Sequence, residues 1–319
     1  MSEKAFRTGK CPKCMEELTV PEDLASFSCM YCGARLSQDD LITPEMEQAA
    51  QTITPDEAEA AFCDAAAQLA GCVSGYPGYN RKITRDEFVP AFEIYEAGCA
   101  PVFRALDRAI SSQCACRKEL LARAAKKMLD DLERGWKADK RWKSKQGQTA
   151  MLEDDKIIIA IFTVPMVRRM ALPSSEDFCK VLQSEWVARY PKSPFYLGDY
   201  DSIAGGFRKK FLGLCFITTA VCEAEGLSDD CAQLTAFRAF RDGYLRACPD
   251  GAALIDEYYN IAPGIVSCIN VCENRAEKYA EIRKTYLDAC YDDILAGRNE
   301  SCKQRYTEMV RALEKQYLS

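Results

Sequence analysis

The chain has 319 residues, with eighteen cysteines and no histidine. Without imidazole there is no Ser-His-Asp triad, Cys-His protease pair, HExxH metalloprotease or two-His-one-carboxylate iron site, and acid–base work falls to Asp, Glu, Lys, Tyr or Cys. A net charge of −6 gives no global drive toward nucleic acid or anionic lipid, and about one cysteine in eighteen residues is below the density of short disulfide-built domains. The opening MSEKAFRTGK is polar and lacks the apolar core of a signal peptide. The longest apolar run, Ile157 to Val167, is short of the roughly twenty residues a spanning helix needs. A cytoplasmic location is therefore expected, with no membrane association. There, thiols stay reduced and read as metal ligands, core fillers or reactive groups.

In chain order, the first pattern is Cys11-Pro-Lys-Cys14 followed by Cys29-Met-Tyr-Cys32-Gly33. Each C-x-x-C forms a knuckle that points two sulfurs at one centre, and Gly33 relieves the backbone where the second knuckle turns. Four thiolates at this spacing predict a closed tetrahedral zinc site at Cys11, Cys14, Cys29 and Cys32, structural because no coordination position stays open. Between the knuckles, Leu18-Thr-Val20 and Ser26-Phe27-Ser28 alternate like short antiparallel strands, with a turn at Pro21-Glu-Asp23. The segment 9–36 resembles a zinc ribbon. A unit this small depends on its metal to fold. Residues 1–40 carry five basic against seven acidic side chains, so the ribbon is expected to contact protein or serve structure, and nucleic acid is not an expected partner.

Residues 37–54 are polar and read as a linker, with a short helix after Thr43-Pro44. Thr54-Pro55-Asp-Glu57 starts a helix with proline in its first position, and Thr84-Arg-Asp-Glu87 has the form of a capping box before Phe88, Phe92, Ile94 and Tyr95. Pro101 is expected to break or kink that helix. From Cys116 to Trp142, Leu120, Leu121, Ala124, Met128, Leu132 and Trp136 recur at helical spacing. Between Arg117 and Lys145 there are eleven Lys and Arg against five Asp and Glu. The stretch reads as a solvated helix face or as a docking surface for an acidic protein or RNA. Cys114-Ala-Cys116 makes a poor chelate, because its side chains point apart on a helix. Helices are expected over 150–171, apolar and central to the core, with a kink or break at Pro165, and over 174–190. Gly205-Gly206 lacks the spacing of a phosphate loop.

At Cys215-Phe216-Ile217-Thr218-Thr219-Ala220 the sequence resembles the CFI box of the CFI-box C-terminal domain of bacterial proteins. The match continues through Leu234-Thr-Ala-Phe237-Arg238-Ala-Phe240-Arg241-Asp242-Gly243-Tyr244-Leu245 to Tyr258-Tyr259 and Ile261-Ala262-Pro263. Many members have alanine where Thr218 stands, and an aromatic with glycine where Val221-Cys222 follows. An N-terminal ribbon before a helical middle and this box is similar to a family from anaerobic Clostridia-type bacteria. The resemblance implies architecture and assigns no activity. From the residues, the box is a helical hairpin or bundle: Cys215, Ile217, Ala220 and Cys222 line a buried helix ended by Gly226. Ser228-Asp-Asp230 caps the next helix, whose face is Leu234, Phe237, Phe240, Tyr244 and Leu245, and Arg238 pairs with Asp242 four residues on. Cys215 at a helix start is a candidate nucleophile, its pKa lowered by Arg238 or Arg241, with Asp242 nearby and Thr218, Thr219 and Tyr258 orienting a substrate; against that, small buried cysteines are common core fillers. Cys268, Cys272, Cys290 and Cys302 read as buried free thiols or as a second four-thiolate site.

The expected fold is mainly α: a multi-helix body with a small N-terminal β zinc ribbon, divided into 1–37 ribbon, 38–54 linker, 55–212 helical domain and 213–319 CFI-box helical domain packed on the preceding helices. The expected function is a non-enzymatic intracellular zinc-ribbon adaptor or scaffold that binds a partner protein. Two alternatives stay open: a thiol enzyme or redox sensor centred on Cys215 with Arg238, Asp242 and Tyr258, and a zinc-ribbon nucleic-acid regulator. No cofactor other than zinc is expected.

Overall fold

A computed structural model describes residues 5–44, 54–113, 116–208 and 215–319, apart from the side chains of Asp39 and Arg208. The helix expected after Thr43-Pro44 falls mostly outside these residues, as does Cys114. The named strands are confined to the first 36 residues, and every other named element is helical. The chain is mainly α with a small N-terminal β region.

Each knuckle reverses the chain, so the strands that pair are those flanking it. β1 (Phe6–Lys10) and β2 (Glu17–Pro21) run antiparallel across the first knuckle, with Thr8 opposite Thr19, and β3 (Phe27–Ser28) pairs with β4 (Arg35–Leu36) across the second. The two segments between the knuckles are strands, as their alternation predicts, but each pairs outward. The chain turns at Pro21, whose carbonyl accepts from the Leu24 N–H. Leu18, Val20, Ala34, Leu36 and Leu41 form the ribbon's small core with Cys11 and Cys29. Leu41 lies in the stretch expected to be a linker, yet it is fully buried, and Ile42 and Lys10 exchange backbone hydrogen bonds. Asp40 accepts from the Ser37 N–H and hydroxyl and pairs with Arg104. Residues 37–42 are thus tied down.

The chain divides into two compact units: Met1–Pro77 with Ile94–Lys192 and Leu197–Tyr200, and Gly78–Glu93 with Ser193–Tyr196 and Asp201–Ser319. In the first, α1 (Pro55–Gln68) begins at a true capping box. The Thr54 hydroxyl accepts from the Glu57 N–H at 3.3 Å, the Glu57 carboxylate accepts from the Thr54 N–H at 2.8 Å, and Pro55 needs no N–H there. α2 (Phe88–Ser111) runs through Pro101 without a break, and its residues 88–93 belong with the second unit. Thr84 makes no capping box: its hydroxyl is buried and unpartnered, and Glu87 pairs with Lys82 instead.

α3 (Arg117–Ala138) buries Leu121, Ala125, Met128, Leu132 and Trp136, and α6 (Ser175–Arg189) lies alongside it. Trp136 sits 5.8 Å from Trp142, 6.4 Å from Trp186 and 5.9 Å from Tyr190, ring centre to ring centre, so the two tryptophans of the basic stretch pack on an aromatic cluster. α4 (Lys145–Ile158) passes through a widened π segment, Ile159–Thr163, into α5 (Val164–Met170). Pro165 has no N–H to offer, and the Val164 N–H reaches back to the Ile159 carbonyl, so the wide turn falls where the ordinary ladder would fail. Every residue from Lys156 to Val167 is buried, as its apolar composition predicts.

In the second unit, which α7 (Tyr200–Arg208) enters at Asp201, that helix contains Gly205-Gly206. It is followed by α8 (Phe216–Ala224), α9 (Ala232–Phe240) with the π segment Arg241–Leu245, and α10 (Gly251–Asn270). α11 (Arg275–Ile282) passes through the π segment Arg283–Leu287 into α12 (Asp288–Leu295), and α13 (Asn299–Tyr317) closes the unit. α10 packs against α8 and α13. Gly264 is obligatory there, because a Cβ would lie 1.7 Å from the Ile83 carbonyl oxygen. Gly226, at φ +74°, ends α8. The N-cap of α9 is Cys231, without a side-chain cap; Ser228 instead donates to Asp230.

Candidate functional site

The four ribbon cysteines converge. Their Sγ atoms lie within 4.8 Å of one another, with Cys11 3.7 Å from Cys32 and Cys14 3.7 Å from Cys29. Metal–sulfur bonds of about 2.3 Å in a tetrahedron put sulfurs about 3.8 Å apart, so the group could hold a metal ion. The backbone builds both halves alike. The Met15 N–H bonds the Cys11 carbonyl at 2.8 Å, and the Gly33 N–H bonds the Cys29 carbonyl at 2.9 Å. Both closing residues are left-handed, Met15 at φ 63° and Gly33 at φ 73°. Glycine adopts that conformation freely; Met15 is the strained equivalent.

Burial opposes ionisation of Cys29, but the N–H groups of Cys32 and Tyr31 outweigh it and hold the thiol at about 7. Burial pushes Cys11 up to about 12, against the N–H groups of Cys14 and Lys13. Crowded thiols give up their protons one at a time, and a cation at their centre removes that conflict.

The second candidate centre differs in kind. Cys215 is the N-cap of α8 and only 6% exposed. Burial raises its pKa, and Arg241 and Arg238 only partly oppose that, so the thiol stays protonated at neutral pH. Arg241, not Arg238, touches it, with a guanidinium nitrogen 3.9 Å from the sulfur. The same nitrogen donates to the Tyr259 hydroxyl at 3.0 Å, and Asp242 takes the other edge of the guanidinium. Arg238 binds Asp229 instead. The expected pair four residues apart is thus replaced: Asp242 pairs with Arg241 and Arg246, because the π segment starts at Arg241 and turns Asp242 out of register with Arg238.

Tyr258 accepts from the Ile217 N–H at 2.9 Å, serving as the cap that Cys215 does not supply. Thr218 shares a hydrogen bond with Tyr306, whose hydroxyl in turn donates to Tyr258. Thr219 faces no partner: its buried oxygen is unsatisfied. Tyr306 had no signal in the sequence, since it comes from α13. Beside this network lies a mainly apolar pocket of about 700 Å³, its mouth included, walled by Phe237, Phe240, Leu254 and Val310.

The other predicted groupings form no second centre among the described residues. Cys268, Cys272, Cys290 and Cys302 are buried, and among the described residues the ribbon four are the only metal-competent cluster found. Cys272 donates to the Cys268 carbonyl, and contact with Cys290 followed by burial pushes the Cys302 thiol far up. Of the eleven basic residues in 117–145, Arg117, Arg123, Lys127, Arg134, Lys137 and Arg141 are in ion pairs. No described helix is long and apolar enough to cross a membrane. Set beside protein-family models, curated proteins and solved structures, the chain matches none of them.

Proposed function

We propose that the chain is a non-enzymatic zinc-ribbon adaptor of the cytoplasm, in which a structural zinc ion fixes the ribbon and the ribbon meets a partner protein. The observation that carries this reading is where large apolar side chains face solvent. Among the described residues nine large apolar side chains are exposed, and five of them, Phe6, Met15, Leu24, Met30 and Tyr31, crowd into the small ribbon, while Ile94, Tyr196, Leu227 and Leu295 are scattered over the rest of the chain; the knuckle pair Met30 and Tyr31 are 75% and 60% exposed. Methionine and tyrosine are favoured at protein interfaces, one for its adaptable shape and the other for its rigid amphipathic ring. Zinc is the cation that suits four thiolates in a closed tetrahedron without redox chemistry. The protonated, enclosed Cys215 speaks against a thiol enzyme, and the ion pairing along α3 speaks against a phosphate-binding face.

The test is affinity purification with the wild-type chain and with a Met30→Ser, Tyr31→Ser double variant. The variant keeps one zinc per chain and the same melting temperature, while recovery of the specific partner falls roughly tenfold, as loss of an interface anchor predicts. Equal recovery of every partner by both chains would overturn the adaptor assignment. Absence of stoichiometric zinc would overturn the metal assignment separately.

A further inference from the structure

We infer that the pocket beside Cys215 binds a small amphipathic organic anion, an apolar chain or ring that ends in a carboxylate. The site is independent of the ribbon and of any partner it meets. Its walls are apolar: Phe237 and Phe240 come from α9, Leu254 from α10 and Val310 from α13. Such a space takes up hydrocarbon and rejects a sugar or a polyamine.

The charge lining it is one-sided. Arg241, Lys303 and Arg311 reach the pocket, and Glu257 is the one carboxylate in its lining. Glu257 is engaged by Arg311. Asp242 and Asp250, which pair with Arg241 and Lys303, lie outside the lining with side chains 48% and 57% exposed. The Arg241 side chain is only 7% exposed, and within the lining its contact is the Cys215 sulfur at 3.9 Å, a weak neutral acceptor. Each of these cations already has a carboxylate partner, and those of Arg241 and Lys303 are exposed, so either can return to water as an entering carboxylate takes its place. Lys303, 15% exposed, adds a second cation. An entering carboxylate pairs with one of these cations, with its tail between the aromatic and aliphatic walls.

The probe is octanoate, with octan-1-ol as the neutral match, measured by calorimetry on the full chain. Octanoate binds one to one, and octan-1-ol binds roughly tenfold or more weakly, the difference one desolvated charge contact makes. Leu254→Trp fills the pocket and weakens octanoate by roughly tenfold, with Thr307→Trp on α13 as a second filling variant. Lys303→Gln narrows the preference for octanoate over octan-1-ol. Hydrogen exchange on the unmodified chain places the protection at 237–245 and 303–311, so the location is tested even if both tryptophan variants fail to fold. Equal binding of octanoate and octan-1-ol, no saturable octanoate binding, or protection elsewhere would each overturn the proposal.

Discussion

The same residue type does opposite work in the ribbon and in the C-terminal helices. In the ribbon, four cysteines at two-residue spacing in tight turns bring their sulfurs to one point, and little apolar core surrounds them. In the second unit, Cys222, Cys268, Cys290 and Cys302 are buried on helices, with Cys215 and Cys272 buried at helix ends, and among the described residues no four of them gather at one point. Burial and the neighbouring Cys231 push Cys222 up to about 12, as for a thiol that remains protonated. Backbone conformation therefore decides whether cysteines converge or serve singly as core residues. One region gathers thiols that could hold a cation, and the other is held by packing.

The sharpest way to break that comparison is to deny the four thiols a cation. Cys14→Ser, or a strong chelator, should abolish stoichiometric metal and unfold the ribbon, with an apparent loss of about 10 kcal/mol or more of metal-linked stability. Hydrogen exchange should show residues 6–36 losing protection while α3 and α13 keep theirs; a ribbon that stays protected would put its stability in packing after all. A smaller effect is expected at Cys290, which is fully buried. Cys290→Ser should cost about 1–3 kcal/mol in urea unfolding, because a hydroxyl enters an apolar site, and Cys290→Ala about 1 kcal/mol. Metal content should not change in either, and a drop would place a second site among the helices.

Acidification should separate the regions by sign. Protonation of thiolates releases the ribbon's metal as pH falls. In the first helical unit, burial raises Asp155 to about 6, against the hydrogen bond it accepts from Trp136 at 2.7 Å. A carboxyl whose folded pKa lies above its unfolded value of about 4 binds its proton more tightly when folded, so its contribution to stability grows as pH falls from about 6 to 4. Asp155→Asn should remove up to about 2 kcal/mol of that dependence while keeping an acceptor for Trp136. Unfolding midpoints measured across this window in the chelated protein check it.

The convergence of the four ribbon sulfurs was legible because it is local: two knuckles fix them whatever follows. Its strand pairing was not, because the alternation of Leu18 to Val20 says nothing about which neighbour it faces. Helix faces such as Leu121, Met128 and Trp136 followed from spacing. The surroundings of Cys215 did not, because Tyr306 is 88 residues from Thr218 and a pattern along one helix cannot choose between Arg238 and Arg241. The missing capping box at Thr84 shows the same limit, since Glu87 found Lys82.

The three π segments, Ile159–Thr163, Arg241–Leu245 and Arg283–Leu287, carry a consequence for how this chain varies. A π turn holds one residue more than an ordinary turn, which rotates everything after it by about 100°. Each therefore acts as a single-residue insertion absorbed without a loop, so that one helix presents two different faces before and after it. Relatives that lack the extra residue at Arg241 would keep every downstream side chain chemically intact and yet offer the Cys215 pocket a different edge of the same helix.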